Sequence, residues 1–286
     1  MKELKPDVLI IAILFFTVLC TGSVQAQSRL YTLDDDFDEG VPINVNHDPP
    51  NNDQLQINEN RTTYPFIWIA NSNRGTIAKV DVETGEVLGE YFSAPEGCPA
   101  DPSRTTVDLR GNLWSGNRDE NRGGEGSVVS IGLVWGGTRV DADGTPNPDG
   151  QYLKEPFIIN NCVDRDGDGL IKTSRGLGDI LPWIDVTDSA GSPCTIDDRN
   201  ALVEDAEDEC IRIFQRHAGV NARHISVNED NQIWVAGYDL AYEHDFSRID
   251  GDTGCILEVR DMPCGGYGGL IDARQGLSTI NSQVTL

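Results

Sequence analysis

The chain has 286 residues, with Asp and Glu totalling 47 against 22 Lys and Arg, a formal net charge of −25 and 38% apolar residues. That length suits one large domain or two ordinary ones with a real core, and an aromatic share of 7% argues against wholesale disorder. A charge of −25 repels phosphate backbones and anionic bilayers, so nucleic acid and membrane surfaces are excluded as partners and cations are the natural counterpart.

Residues 1–26 read as a signal peptide. Lys2 and Lys5 precede an apolar run from Val8 to Leu19, and Val24 and Ala26 place small residues where a signal peptidase reads. The run is shorter than the roughly 20 residues of a spanning helix. The mature chain is therefore expected to be secreted or periplasmic. Export leaves Cys98, Cys162, Cys194, Cys210, Cys255 and Cys264, an even set that favours disulfides. The pairing stays open, although Cys194–Cys210 and Cys255–Cys264 would close short loops and leave Cys98–Cys162.

Residues 27–54 hold Asp34–Glu39 and Asn44–Asp53, polar and turn-rich, and are expected to form an extended leader. Beyond them one pattern recurs. Thr106–Gly116, Val163–Ser174, Ser226–Gly237 and Leu270–Thr279 each read as an apolar strand ending in an acid or amide, a Gly/Asn turn, and a second strand. Phe66–Asn71 shows the second strand alone, with Leu55–Ile57 as a candidate first. Ile77–Leu88 and Phe246–Leu257 then add an alternating strand, an Asp-x-x-Thr-Gly turn and another strand. Two hairpins per repeat make a four-stranded sheet whose faces need neighbouring sheets to cover them.

The segments Ile67–Tyr91 and His224–Leu257 make the chain resemble the streptogramin lyase (virginiamycin B lyase) and NHL-like β-propellers, over residues 55–286. The resemblance implies an all-β propeller of four-stranded blades, with four recognisable blades and the start of a fifth. Two readings of that count remain: residues before the propeller return to complete the last blade, or the chain is part of a longer propeller. An open ring would expose strand edges and favour self-association.

The sharpest local signal is Asp164-Arg-Asp-Gly-Asp-Gly-Leu-Ile171. Asp164, Asp166 and Asp168 fall at positions 1, 3 and 5 of a calcium loop, with the Leu170 carbonyl at position 7. Position 12 is Arg175, so a later acid, Asp179 or Asp185, must complete the shell. The expected role of Ca2+ is structural, stapling an excursion over residues 175–222. Within that excursion Thr195–Ala206 suggests one short capped helix, and Cys210–Phe214 a returning strand.

Catalytic signals are sparse: no HExxH, GxSxG or phosphate-binding loop is present. His224 and Arg104 each lie three residues before the Val of an aligned first strand, with Arg223 beside His224. The leading expectation is a calcium-stabilised scaffold that binds a glycan or protein and is not an enzyme. The alternative is a metal-dependent lyase acting on a cyclic ester or polysaccharide, with His224 or His244 as base and Arg223 or Arg104 steadying negative charge.

Overall fold

The computed structural model describes residues 45–46, 56–57, 64–98, 100–118, 126–184, 202–217, 219, 221–237, 245–261, 266–271 and 277–280. The expected signal peptide lies outside them, as do most of the leader, His244, Asp185, Cys194 and Cys264. The chain divides into two compact units, Met1–Tyr64 and Pro65–Leu286. In the first, β1 (Val45–Asn46) pairs antiparallel with β2 (Gln56–Ile57), Val45 opposite Ile57.

The second unit opens with a three-stranded meander of β3 (Phe66–Asn71), β4 (Thr76–Asp81) and β5 (Val87–Phe92). A single 3₁₀ turn at Ser72–Arg74 links β3 to β4 and ends at Gly75 with φ 68°. A Cβ there would meet the Ala100 Cβ at 2.9 Å, so both backbone and space require glycine. The β4–β5 turn is organised by Asp81, whose Oδ1 accepts the Glu83 amide, the Thr84 amide and the Thr84 hydroxyl at 2.8–2.9 Å.

Next come β6 (Pro102–Val107), β7 (Leu113–Asn117) and β8 (Ser127–Ile131). Asp108 follows β6 and locks the β6–β7 turn. Its Oδ1 accepts the Arg110 and Asn112 amides, and its Oδ2 accepts Asn112 Nδ2 and Trp114 Nε1. All residues of β7 and β8 are buried, because these central strands are covered on both faces.

The chain then leaves this sheet. β9 (Val134–Val140), β10 (Tyr152–Asn160) and β11 (Ile171–Lys172) form a separate three-stranded sheet. Only afterwards does β12 (Ile211–Arg216) return and pair with β8, Phe214 opposite Val129, giving the order β12-β8-β7-β6. A complete four-stranded meander follows: β13 (Ala222–Val227), β14 (Ile233–Gly237), β15 (Asp245–Ile249) and β16 (Ile256–Asp261). Its Asp250 turn repeats the Asp81 turn bond for bond, with the Thr253 amide and hydroxyl on Asp250 Oδ1. A hairpin of β17 (Gly268–Ile271) and β18 (Leu277–Ile280) closes the described chain.

The fold is thus all-β, with four antiparallel sheets of three or four strands, none closed on itself among the described residues. β6 lies beside β3 and β13, and β13 beside β17, so the first strands of successive sheets are neighbours. Trp114, Val128 and Ile213 of one sheet pack against Ala222, Ile233, Val235 and Ile249 of the next. A second cluster joins Ile77 and Tyr91 to Leu113, Val129, Ile131 and Val134. Burial of these apolar faces, at roughly 25 cal/mol per Å², holds the sheets together.

Three expectations need correction. Val163–Ser174 is not the strand-turn-strand of a further blade. Only Ile171–Lys172 is a strand, and it pairs back on Tyr152 and Leu153 of β10. Asp/Gly turn chemistry serves any tight bend, so its match to the other segments carried no register. The expected helix over Thr195–Ala206 lies outside the described residues up to position 201, and beyond that Leu202 and Ala206 make bridges to Ile213 and Trp183. The pairings also differ: Cys162 is bonded to Cys210 rather than to Cys98, Cys98 is in a disulfide of its own, and Cys255 is a thiol. A disulfide is compatible with an extracellular location, and among the described residues no helix is long and apolar enough to cross a membrane.

Candidate functional site

Asp164, Asp166 and Asp168 stand on the β10–β11 link and are exposed, with one carboxylate oxygen from each within 4.8 Å of the others. Backbone donors fix them. Asp164 accepts the Gly167 amide at 2.7 Å and the Gly169 amide at 3.0 Å, Asp166 the Asp168 amide at 3.0 Å, and Asp168 the Leu170 amide at 2.7 Å. Gly167 and Gly169 sit at φ 74° and 80°, which lets the chain coil tightly enough to gather three like charges. Leu170 and Ile171 are buried and tie the loop to the core. Such an oxygen cluster suits a hard cation, and the Coulomb repulsion among its members makes a cation more favourable still.

Asp179 does not belong to this group. Its carboxylate accepts Gln151 Nε2 at 2.9 Å and Arg175 Nε at 3.0 Å. The acid that governs the loop is Glu209, which sequence reasoning missed. Its two oxygens accept the Arg165 amide at 2.6 Å and the Lys172 amide at 2.8 Å, its carbonyl accepts the Val163 amide, and its own amide donates to the Lys172 carbonyl. Burial pushes the Glu209 carboxyl above its ordinary range, against the opposing pull of those two amides. The Arg165 side chain turns inward, onto the carbonyls of Ala206, Asp208 and Ile211. With Cys162–Cys210 alongside, both ends of the acidic loop are pinned to one short segment. The correct disulfide pairing would have pointed to Glu209.

The proposed catalytic residues fall elsewhere. Arg104 on β6 donates from Nε to the Arg223 carbonyl on β13 at 3.3 Å, and both guanidiniums lie over the Tyr267 ring at 5.7 and 5.5 Å. His224 follows Arg223 on β13, where the register with β14 shifts between Ala222 and His224. It is 6% exposed, beside Phe246, with its Nε2 on the Ser226 hydroxyl at 2.8 Å. Burial lowers its pKa to about 4, so it is neutral at neutral pH and a weak base there. His244 lies outside the described residues.

A second site was not foreseen at all. Between the β3–β5 sheet and the β9–β11 sheet is a pocket of about 620 Å³. Lys79 of β4 and Arg139 of β9 line it, together with the aromatic rings of Phe66 and Trp135, which meet edge to face at 5.5 Å. Lys79 is 4% exposed; its ammonium donates to the Val134 carbonyl and sits 4.2 Å from the Phe66 ring centroid. Burial, then repulsion from Arg139, brings its pKa down to about 7. Arg139 donates to the carbonyls of Thr173 and Ser174 at 3.0 and 3.1 Å, and its own pKa is lowered by burial. Arg175, on the same wall, is neutralised by Asp149 and Asp179. In sequence Lys79 is one lysine on an alternating strand, and nothing marks it. No protein-family model matches the chain, and no curated protein does.

Proposed function

We propose that this chain is an exported propeller-type scaffold, similar to the streptogramin lyase and NHL-like propellers, that binds a glycan or protein ligand and is braced by structural calcium. Neighbouring first strands, the paired Asp81 and Asp250 turns and the complete β13–β16 meander all favour the propeller reading. The observation that carries the calcium reading is the trio of carboxylates gathered within 4.8 Å on a loop clamped at both ends. Asp164, Asp166 and Asp168 would supply the charged oxygens, and the Leu170 carbonyl remains the candidate neutral ligand. Clamping lowers the ordering cost of binding, because the loop is held before the ion arrives.

A scaffold fits better than a lyase. The carboxylates stand on the β10–β11 link, whereas Arg104, Arg223 and His224 stand on β6 and β13, with His224 turned into the core. The test is thermal unfolding in chelator and in millimolar calcium, with magnesium as a control. An ion held by the folded loop alone should stabilise by roughly 2.7 kcal/mol at about a hundred times its dissociation constant. Asp166→Ala should abolish that increment. Asp149→Ala, whose carboxylate pairs with Arg175 instead, should leave it intact. Superimposable melts in calcium and chelator would reduce the loop to a plain turn.

A further inference from the structure

We propose that the pocket between the β3–β5 and β9–β11 sheets binds an acidic sugar unit, a uronate, whose carboxylate is received by Lys79 and Arg139 and whose ring lies against Phe66 and Trp135. This deepens the scaffold reading above and rests on it for the glycan class of ligand. The chain carries −25 overall, yet two cations lie together at this pocket. Among the described residues neither makes an ion pair: Lys79 donates to one carbonyl and Arg139 to two, with Asp208 and Asp179 attracting Arg139 only from beyond contact. A buried, uncompensated ammonium is costly, and a second cation close enough to repel it adds to the cost. A ligand carboxylate would relieve both and take up donors that Lys79 and Arg139 leave unused.

The remaining lining selects the body of the ligand. Half-buried Phe66 and Trp135 offer ring surface of the kind that the C–H face of a pyranose covers, apart from the Phe66 face that already carries the Lys79 ammonium. Asp149 and Glu86, both exposed, offer acceptors for hydroxyl groups. A purely apolar acid would leave those acceptors facing its ring, and a neutral sugar would leave the two cations unmet. The volume of about 620 Å³ falls within the usual range for small-ligand sites and leaves room for a disaccharide.

Binding should also take up a proton near neutral pH, since an anion beside Lys79 favours its charged form. The charged and titratable groups that line the pocket with that amine are Arg139 on β9, Tyr91 on β5, Glu86 before β5, and Arg175 paired with Asp149 and Asp179. Asp208, outside the lining, acts electrostatically on both Arg139 and Tyr91. Of these, Lys79 is the group poised at about 7.

The experiment is calorimetric titration of the full mature chain with galacturonate, digalacturonate, galactose and benzoate, in Tris and in HEPES, each with calcium and with chelator. Uronates should bind at least about tenfold tighter than galactose and benzoate, as loss of a charge-assisted contact implies. Their heats should differ between the buffers by the proton taken up. Lys79→Met, which fills the site with an apolar chain of similar length, should fold and lose at least about tenfold in uronate affinity. Equal binding of galactose, tighter binding of benzoate, no uronate heat, or a folded Lys79→Met that binds as the parent does would each overturn the assignment. Uronate binding in a protein whose melts ignore calcium would retire the calcium-braced reading alone; calcium stabilisation without uronate heat would retire this pocket alone.

Discussion

Glu209→Gln is the most informative single change in the acidic loop. The carboxylate accepts two backbone amides, from Arg165 at 2.6 Å and Lys172 at 2.8 Å, and is 5% exposed. Hydrogen bonds to a charged group contribute about 1.5–3 kcal/mol each, and a buried donor left without an acceptor costs about 1–3 kcal/mol. Glutamine keeps one acceptor, now uncharged, and turns an NH2 group toward the other amide. The gross loss is therefore about 2–4 kcal/mol. Part is offset, because burial already raises the Glu209 carboxyl and so penalises its charged form in the fold. A net loss of about 2 kcal/mol results. Urea unfolding followed by tryptophan fluorescence should show a lower midpoint with an unchanged slope. Amide exchange at Arg165 and Lys172 should accelerate, and the calcium increment should shrink, since the loop would then be ordered by the ion. An unfolding free energy within about 0.5 kcal/mol of the parent, with exchange at those two amides unaltered, would refute the clamp.

Three further outcomes follow from the same contacts. Cys162→Ser with Cys210→Ser opens a cross-link of sequence separation 48, and the chain-entropy relation gives a loss of about 4 kcal/mol, read as a fall in melting temperature under non-reducing conditions. Asp108→Ala strands the Arg110 and Asn112 amides and the Trp114 indole N–H, costing about 3 kcal/mol or more in urea unfolding, whereas Asp108→Asn should cost less because Asn228 already organises the equivalent β13–β14 turn. Burial lowers the pKa of His217 to about 3 and of His224 to about 4. The unfolded chain therefore protonates first, so stability is full above about pH 6.5 and falls as the pH drops toward 4. Urea midpoints between pH 6.5 and 5 should decline, and His217→Gln should flatten that decline.

The hairpins were legible because their determinants are local. Asp81 with Thr84 and Gly85, and Asp250 with Thr253 and Gly254, specify a turn within five residues, and the flanking alternation specifies the strands. The acidic triplet was legible for the same reason. What escaped was long-range: which sheet β12 joins, which cysteine meets Cys162, and that Glu209 reaches back to Arg165 and Lys172. Turn composition says nothing of these, since the same Asp/Gly chemistry at Asp164 served a loop rather than a strand-turn-strand pair. Lys79 and Arg139 become a pair only when β4 and β9 meet across the pocket, and a lysine in an alternating strand otherwise reads as a solvated face.

The late return of β12 has a consequence for synthesis. β8 is ready to pair once Ile131 has emerged, but its outer partner begins at Ile211. At about 5–20 residues per second the open edge of β8 waits roughly 4–16 s on the ribosome. That edge is Ser127-Val-Val-Ser-Ile131, without a charge or a proline to guard it. The inserted β9–β11 sheet is made during this interval, and Gly132 and Cys210, which bound the whole insertion, are joined by a backbone hydrogen bond. That bond sets β12 beside the edge of β8 in the folded chain. The nascent chain is therefore most exposed to mispairing with a neighbour on the same message while residues 132–210 are being added.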